Sequence, residues 1–101
     1  MDLLLPKGMR DIDPEDAILQ AQILDTLREN FERYGYLPIE TPTVERMEIL
    51  TAKFAVGEGT DVSKEIFKVG DQADRNLGLR FDMTVPLCRY IAMNPSVKFL
   101  P

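Results

Sequence analysis

The stretch from Asp13 to Gly35 constrains the fold more than any other part of the chain. Asp13 can cap a first helical turn, Pro14 stands where a missing N–H costs nothing, and Glu15 and Asp16 place negative charge at the positive end of a helix dipole. Ala17, Ala21, Leu24, Leu27, Phe31 and Tyr34 then recur at three- and four-residue spacing, and Gly35 supplies a left-handed stop. The pattern predicts a helix over Pro14–Tyr34 with one apolar stripe that faces a core or a partner. In 101 residues so long a helix leaves room for one small domain or a fragment of a larger one, with no second domain. Such a length can bury roughly two-thirds of the surface exposed by its unfolded form, so an independent core is possible.

Composition removes several mechanisms. With no His there is no His-dependent triad, no imidazole base and no His metal ligand, and Cys88 alone forms neither an internal disulfide nor a thiolate cluster. No metal ligand is therefore assigned within the chain. Twelve basic against 17 acidic side chains, a net charge of −5, argue against a broad nucleic-acid footprint, which needs clustered Lys and Arg. Leu3-Leu4-Leu5 is too short for a signal peptide, and no run approaches membrane-spanning length. The expectation is an unexported, cytoplasmic protein without a membrane segment, and the single thiol agrees with that compartment. A hydrophobic fraction of 45% and a charged fraction of 29% are ordinary globular values.

Beyond the helix, Tyr36–Ile39 reads as a short strand that stops or bends at Pro42. Glu45–Phe54 reads as a short helix with Met47, Leu50 and Phe54 on one side, and Val56–Asp61 as a surface loop whose two glycines lack the residues of a phosphate cradle. Ile66–Val69 and Leu77–Asp82, joined by a polar turn-rich connection, predict a hairpin. Alternation places Leu77, Leu79 and Phe81 on one face of its second strand and Gly78, Arg80 and Asp82 on the other, which is expected to be wet and open. A helix from Thr84 to Met93 follows, with Thr84 a possible cap and Asn94-Pro95 its stop, and Val97–Leu100 reads as a strand just beginning. Cys88, on an apolar helix face, is expected to be a small core residue.

Asp82 is the residue to single out, because it stands where an open strand face meets a helix N-terminus whose dipole attracts negative charge. Gly78 would leave room for a ligand to approach, Arg80 adds a planar cation and Thr84 a hydroxyl, so the group can hold a small zwitterion. The same pattern also fits two helix caps, an arginine paired with a neighbouring acid, and a glycine at a turn or bulge.

Several segments, in order, resemble the histidyl-tRNA synthetases: Pro6-Lys7-Gly8-Met9-Arg10-Asp11; Phe31-Glu32-Arg33-Tyr34-Gly35-Tyr36; Ile39-Glu40-Thr41-Pro42-Thr43-Val44-Glu45; Val56 to Phe67; and Leu79 to Tyr90. The resemblance covers nearly the whole chain. It implies part of a class II aminoacyl-tRNA synthetase catalytic domain over residues 1–101, an α+β fold with an antiparallel sheet flanked by helices. The first class motif and the histidine-binding segment match, while the second and third motifs, which carry the reacting arginines, lie beyond the matched residues. The full-length enzyme would be a histidine–tRNA ligase using ATP and Mg²⁺, with L-histidine and tRNA(His) as partners, and the 101 residues alone would be inactive. The resemblance further implies a homodimer built through the Pro14–Tyr34 helix and the Pro42 region. It makes Asp82, Met83 and Thr84 the segment that binds the α-ammonium of histidine, although many bacterial members have Glu-Gly-Thr there. Two other classes fit the same residues: the non-catalytic regulatory subunit of ATP phosphoribosyltransferase, and a module that serves only to dimerise.

Overall fold

The computed structural model describes residues 1–52 and 64–97. The expected Val56–Asp61 loop, the end of the expected helix at Phe54, and most of the expected Val97–Leu100 strand lie outside them. Two compact units divide the chain, Met1–Pro38 and Ile39–Leu100.

The first unit carries α1, Pro14–Arg33, close to the span its pattern predicts. Asp13 has the extended backbone of an N-cap, but its side chain makes no capping bond; its carbonyl accepts the Ala17 N–H at 2.8 Å. The far end closes on Gly35, whose φ of +87° is the left-handed conformation that glycine adopts without steric cost. Gly35 N–H donates to Glu32 O at 3.0 Å and Tyr36 N–H to Phe31 O at 3.2 Å, the paired bonds of a Schellman stop. Phe31 and Tyr36 meet edge to face across it, with centroids 6.1 Å apart.

No strand forms over Tyr36–Ile39. The Tyr36 N–H is already engaged by the helix stop, and Pro38 has none to donate, so the segment is short of the donors a ladder requires. The strand instead starts beyond Pro42, as β1, Val44–Arg46, and runs directly into α2, Met47–Thr51.

The second unit is an antiparallel sheet of three short strands. The hairpin is present, with β2 at Lys68–Gly70 and β3 at Asn76–Leu79, and β3 lies in the middle in the order β1-β3-β2. Val44 pairs with Leu79 and Glu45 with Gly78, while Lys68 pairs with Gly78 from the other side. The hairpin turn is organised by Asp71, whose Oδ1 accepts the N–H groups of Ala73 at 3.0 Å and Arg75 at 2.9 Å.

Gly78 corrects the expectation of an open face. It is buried, and a Cβ placed on it would stand 2.8 Å from Ile66 Cγ2, 2.9 Å from Met47 Cε and 3.1 Å from Leu50 Cδ1. Those three residues are the buried apolar cluster among the described residues. The room that the glycine leaves is taken by α2 and Ile66, not by a ligand.

The last element, α3, spans Thr84–Met93 as expected. Pro86 is buried at its first turn, and Arg89 reaches back to Glu45 on β1, Nε to Oε1 at 3.0 Å. Cys88 is exposed, so it fills no core position: a helix packed by one side leaves its other side in water.

Candidate functional site

Asp82, Met83 and Thr84 form the corner between β3 and α3, and the structure brings them together as their order in the chain requires. Strand β3 reaches this corner through main-chain bonds on both sides: Leu79 N–H donates to Phe67 O and Arg80 N–H to Thr43 O, each at 2.9 Å. Beyond it, α3 begins with Leu87 N–H on Met83 O at 3.3 Å.

Within the corner, the half-buried Asp82 accepts from two directions. Val85 N–H donates to its Oδ1 and the Thr84 hydroxyl to its Oδ2, both at 3.2 Å. Asp82, rather than Thr84, is therefore the side chain that satisfies an open N–H of the first turn of α3, because its carboxylate sits two residues before the helix and reaches forward. This is the capping alternative left open by the sequence, and it does not exhaust the residue. An ionised carboxylate offers about four acceptor directions, of which two are used here. The Thr84 hydrogen is committed to Asp82, which leaves the hydroxyl lone pairs as further acceptors. Met83 is exposed beside them. The corner can thus present a carboxylate and a hydroxyl oxygen to a group with several N–H donors, as an ammonium is.

Arg80 is engaged on the side of residues 41 and 42. Its Nη1 donates to Thr41 O at 2.9 Å and to Thr41 Oγ1 at 2.8 Å, with Pro42 O at 3.5 Å, so it is bound to the segment that leads into β1, and among the described residues it pairs with no acid. The signal for the Glu45–Arg89 pair was a charge of each sign in an apolar setting, on elements 44 residues apart, and no local pattern joins them.

Two surface hollows lie along the hairpin, one lined by Arg46, Glu48, Arg75, Asn76 and Leu77, the other by Gly70 to Ala73 and Arg75, and neither includes Asp82, Met83 or Thr84. Both arginines have acidic partners, Arg46 with Glu48 and Arg75 with Asp71. Among the described residues no three Asp, Glu, Cys or His side chains come together as a metal-ligand set. No helix among them is long and apolar enough to cross a membrane.

This small antiparallel sheet flanked by helices is shared with solved class II aminoacyl-tRNA synthetases. The histidyl-tRNA synthetase from Nostoc sp. PCC 7120 superposes with a TM-score of 0.78 at 35% identity, over 100% of this chain and 22% of that one. A protein from Bacillus halodurans described as an ATP phosphoribosyltransferase regulatory subunit/histidyl-tRNA synthetase superposes with a TM-score of 0.77 at 34% identity, over 100% of this chain and 25% of that one. In sequence, histidine–tRNA ligase 1 of Bacillus cereus is 40% identical over 98 residues, which is 97% of this chain and 22% of that protein. The family model for histidyl-tRNA synthetase matches residues 8–99, and the chain belongs to that family. It spans about a fifth of the length of the curated relatives it matches, 22% in the case just given.

Proposed function

We propose that these residues serve a histidine–tRNA ligase, in which Asp82, Met83 and Thr84 receive the α-ammonium of L-histidine. The observation that carries the reading is the 40% identity to a histidine–tRNA ligase across 97% of the chain. In the full-length protein the histidine carboxylate attacks the α-phosphorus of ATP, pyrophosphate leaves, and a terminal ribose hydroxyl of tRNA(His) then displaces AMP from the adenylate. The contribution of this corner is to hold the amino acid by its ammonium, leaving its carboxylate free for that attack. Its geometry supports the assignment: two oxygens of Asp82 and one of Thr84 converge, and the internal hydrogen bonds leave acceptor capacity on both residues.

The family generally uses ATP with Mg²⁺. The arginines of its second and third motifs lie beyond the matched residues, so the 101 residues alone are expected to show no activity. A homodimer formed through α1 and the Pro42 region is part of the same reading, supported by the exposure of Leu24 (50%) and Phe31 (58%) on the apolar stripe. So are a cytoplasmic location and the assignment of residues 1–101 to the catalytic domain.

The test is histidine-dependent ATP–pyrophosphate exchange by the full-length protein and its Asp82→Ala variant. Strong exchange that falls at least a hundredfold in the variant, with dimer mass unchanged in sedimentation, is expected. Near-normal exchange in the variant would remove the ammonium assignment. The likeness to the Bacillus halodurans protein favours a second reading, the regulatory subunit, and a full-length protein that binds histidine without any exchange would establish it.

A further inference from the structure

We propose that Arg80 is a positioning residue for the ammonium site, acting on the amino acid only through Asp82 by tying the end of β3 to residues 41–43. The inference rests on the reading of Asp82 given above and adds the side chain that holds that carboxylate in place. Arg80 Nη1 donates to Thr41 O at 2.9 Å and Thr41 Oγ1 at 2.8 Å, with Pro42 O at 3.5 Å, and its main-chain N–H donates to Thr43 O at 2.9 Å. One residue therefore binds three consecutive residues of a segment that lies 39 positions earlier in the chain at Thr41. The acceptors are two carbonyls and a hydroxyl on the side-chain end. All three accept from Nη1, so one end of the planar guanidinium ties β3 to residues 41 and 42.

Asp82 lies two residues further on, within about 7 Å of chain. The carboxylate is bound by Val85 N–H and the Thr84 hydroxyl, and the main chain that leads to it is tied by Arg80 to residues 41–43. The helix on the later side is itself anchored to β1 by Arg89 and Glu45, so both long-range ties end on the stretch 41–45. Charge-assisted bonds to an ammonium require an acceptor at about 2.7–2.9 Å. A displacement near 1 Å can cost on the order of a hundredfold in a positioned interaction. Arg80→Ala removes the side-chain bonds to Thr41 and keeps the main-chain bond to Thr43.

The experiment uses the full-length protein and two probes, L-histidine and histidinol, which keeps the ammonium and imidazole but lacks the carboxylate. Arg80→Ala is expected to weaken both by about tenfold, and Arg80→Lys by less, because one of the acceptors stays within reach. Thr41→Val, which deletes the hydroxyl acceptor and little else, shifts both probes the same way by a smaller factor. In an Asp82→Asn background, Arg80→Ala adds less than about twofold, as two residues acting through one contact are not additive. A loss seen with histidine and absent with histidinol would overturn the proposal, since it would place Arg80 on the substrate carboxylate. Full additivity with Asp82→Asn would overturn it as well, and so would unchanged binding in Arg80→Ala alongside weakened binding in Asp82→Asn. Unchanged binding in Asp82→Asn itself would remove the ammonium reading and this proposal together. If Arg80→Ala does not fold, Arg80→Lys and Thr41→Val make the same comparison.

Discussion

Arg89 Nε on α3 lies 3.0 Å from Glu45 Oε1 on β1, and the two side chains are only 20% and 5% exposed. Arg89 Nη1 also rests on Met93 Sδ at 3.3 Å. The pair joins the first strand of the sheet to the helix that closes it. Glu45 is also the ladder partner of Gly78, so the charge sits on the face that α2 and Ile66 cover.

Removal of either partner leaves the other charge buried without compensation, which typically costs about 3–5 kcal/mol. Arg89→Ala and Glu45→Ala should each lower the urea midpoint sharply in equilibrium unfolding of the full-length protein. The double change Glu45→Leu with Arg89→Met should recover most of that loss. A midpoint within error of the parent in either single variant would show that the pair does not hold α3 to β1.

Gly78→Ala places a methyl group where Ile66, Met47 and Leu50 already stand at 2.8 to 3.1 Å. Overpacking of this kind costs about 1–3 kcal/mol. Gly70→Ala meets nothing within 4 Å and has an ordinary φ, so it serves as the control. Thermal melts should separate the two variants by several degrees, and equal melting temperatures would mean that the core gives way around position 78.

Capping by Asp82 and its proposed binding of an ammonium are separable. Asparagine is as good an N-cap as aspartate, so Asp82→Asn should keep the bond from Val85 N–H and cost little stability, whereas Asp82→Ala should cost about 1 kcal/mol. Both should weaken histidine binding, because neither an amide nor a methyl group has a charge to offer an ammonium. Denaturation midpoints and calorimetric titration on the same samples check the two parts. An Asp82→Asn protein that binds histidine normally would contradict the charge-based role.

Asp71 gives the hairpin a pH dependence. The N–H of Arg75 on its carboxylate, helped by Ala73 N–H and the Arg75 charge, holds its pKa below the ordinary aspartate value against a smaller opposing effect of burial. A depressed folded-state value contributes stability that is complete above the unfolded pKa and is lost as pH falls through the folded one. Carboxyl chemical shifts should therefore give a midpoint for Asp71 below 3.8, and protection of the Arg75 amide from exchange should fade over the same range. A midpoint at or above that value would refute the turn geometry.

Much of the fold was legible from local chemistry. The Pro-Glu-Asp start, the apolar spacing and Gly35 define α1 to within one residue, since each acts over a single turn. The hairpin and α3 follow for the same reason: turn formers between short apolar runs, and an Asn-Pro stop. The place of Asp82 at a helix N-terminus was likewise readable, because a strand exit and a helix start adjoin in the chain.

Other features depend on groups that only folding brings together. Whether Tyr36–Ile39 becomes a strand depends on donors and a partner, and Tyr36 had already spent its N–H on the helix stop. Alternation correctly set Gly78 and Leu77 on opposite faces, but it carries no sign for which face is covered. That was decided by Met47, Leu50 and Ile66, which close over the glycine. The sequence by itself determined α1, the hairpin, α3 and the family, because caps, turns and periodicity act between near neighbours. Tertiary structure alone decided that Arg80 braces Thr41 and that Arg89 meets Glu45, because both pairings span about forty residues of chain. Such contacts form only when burial of a small apolar core repays the entropy of closing so long a loop.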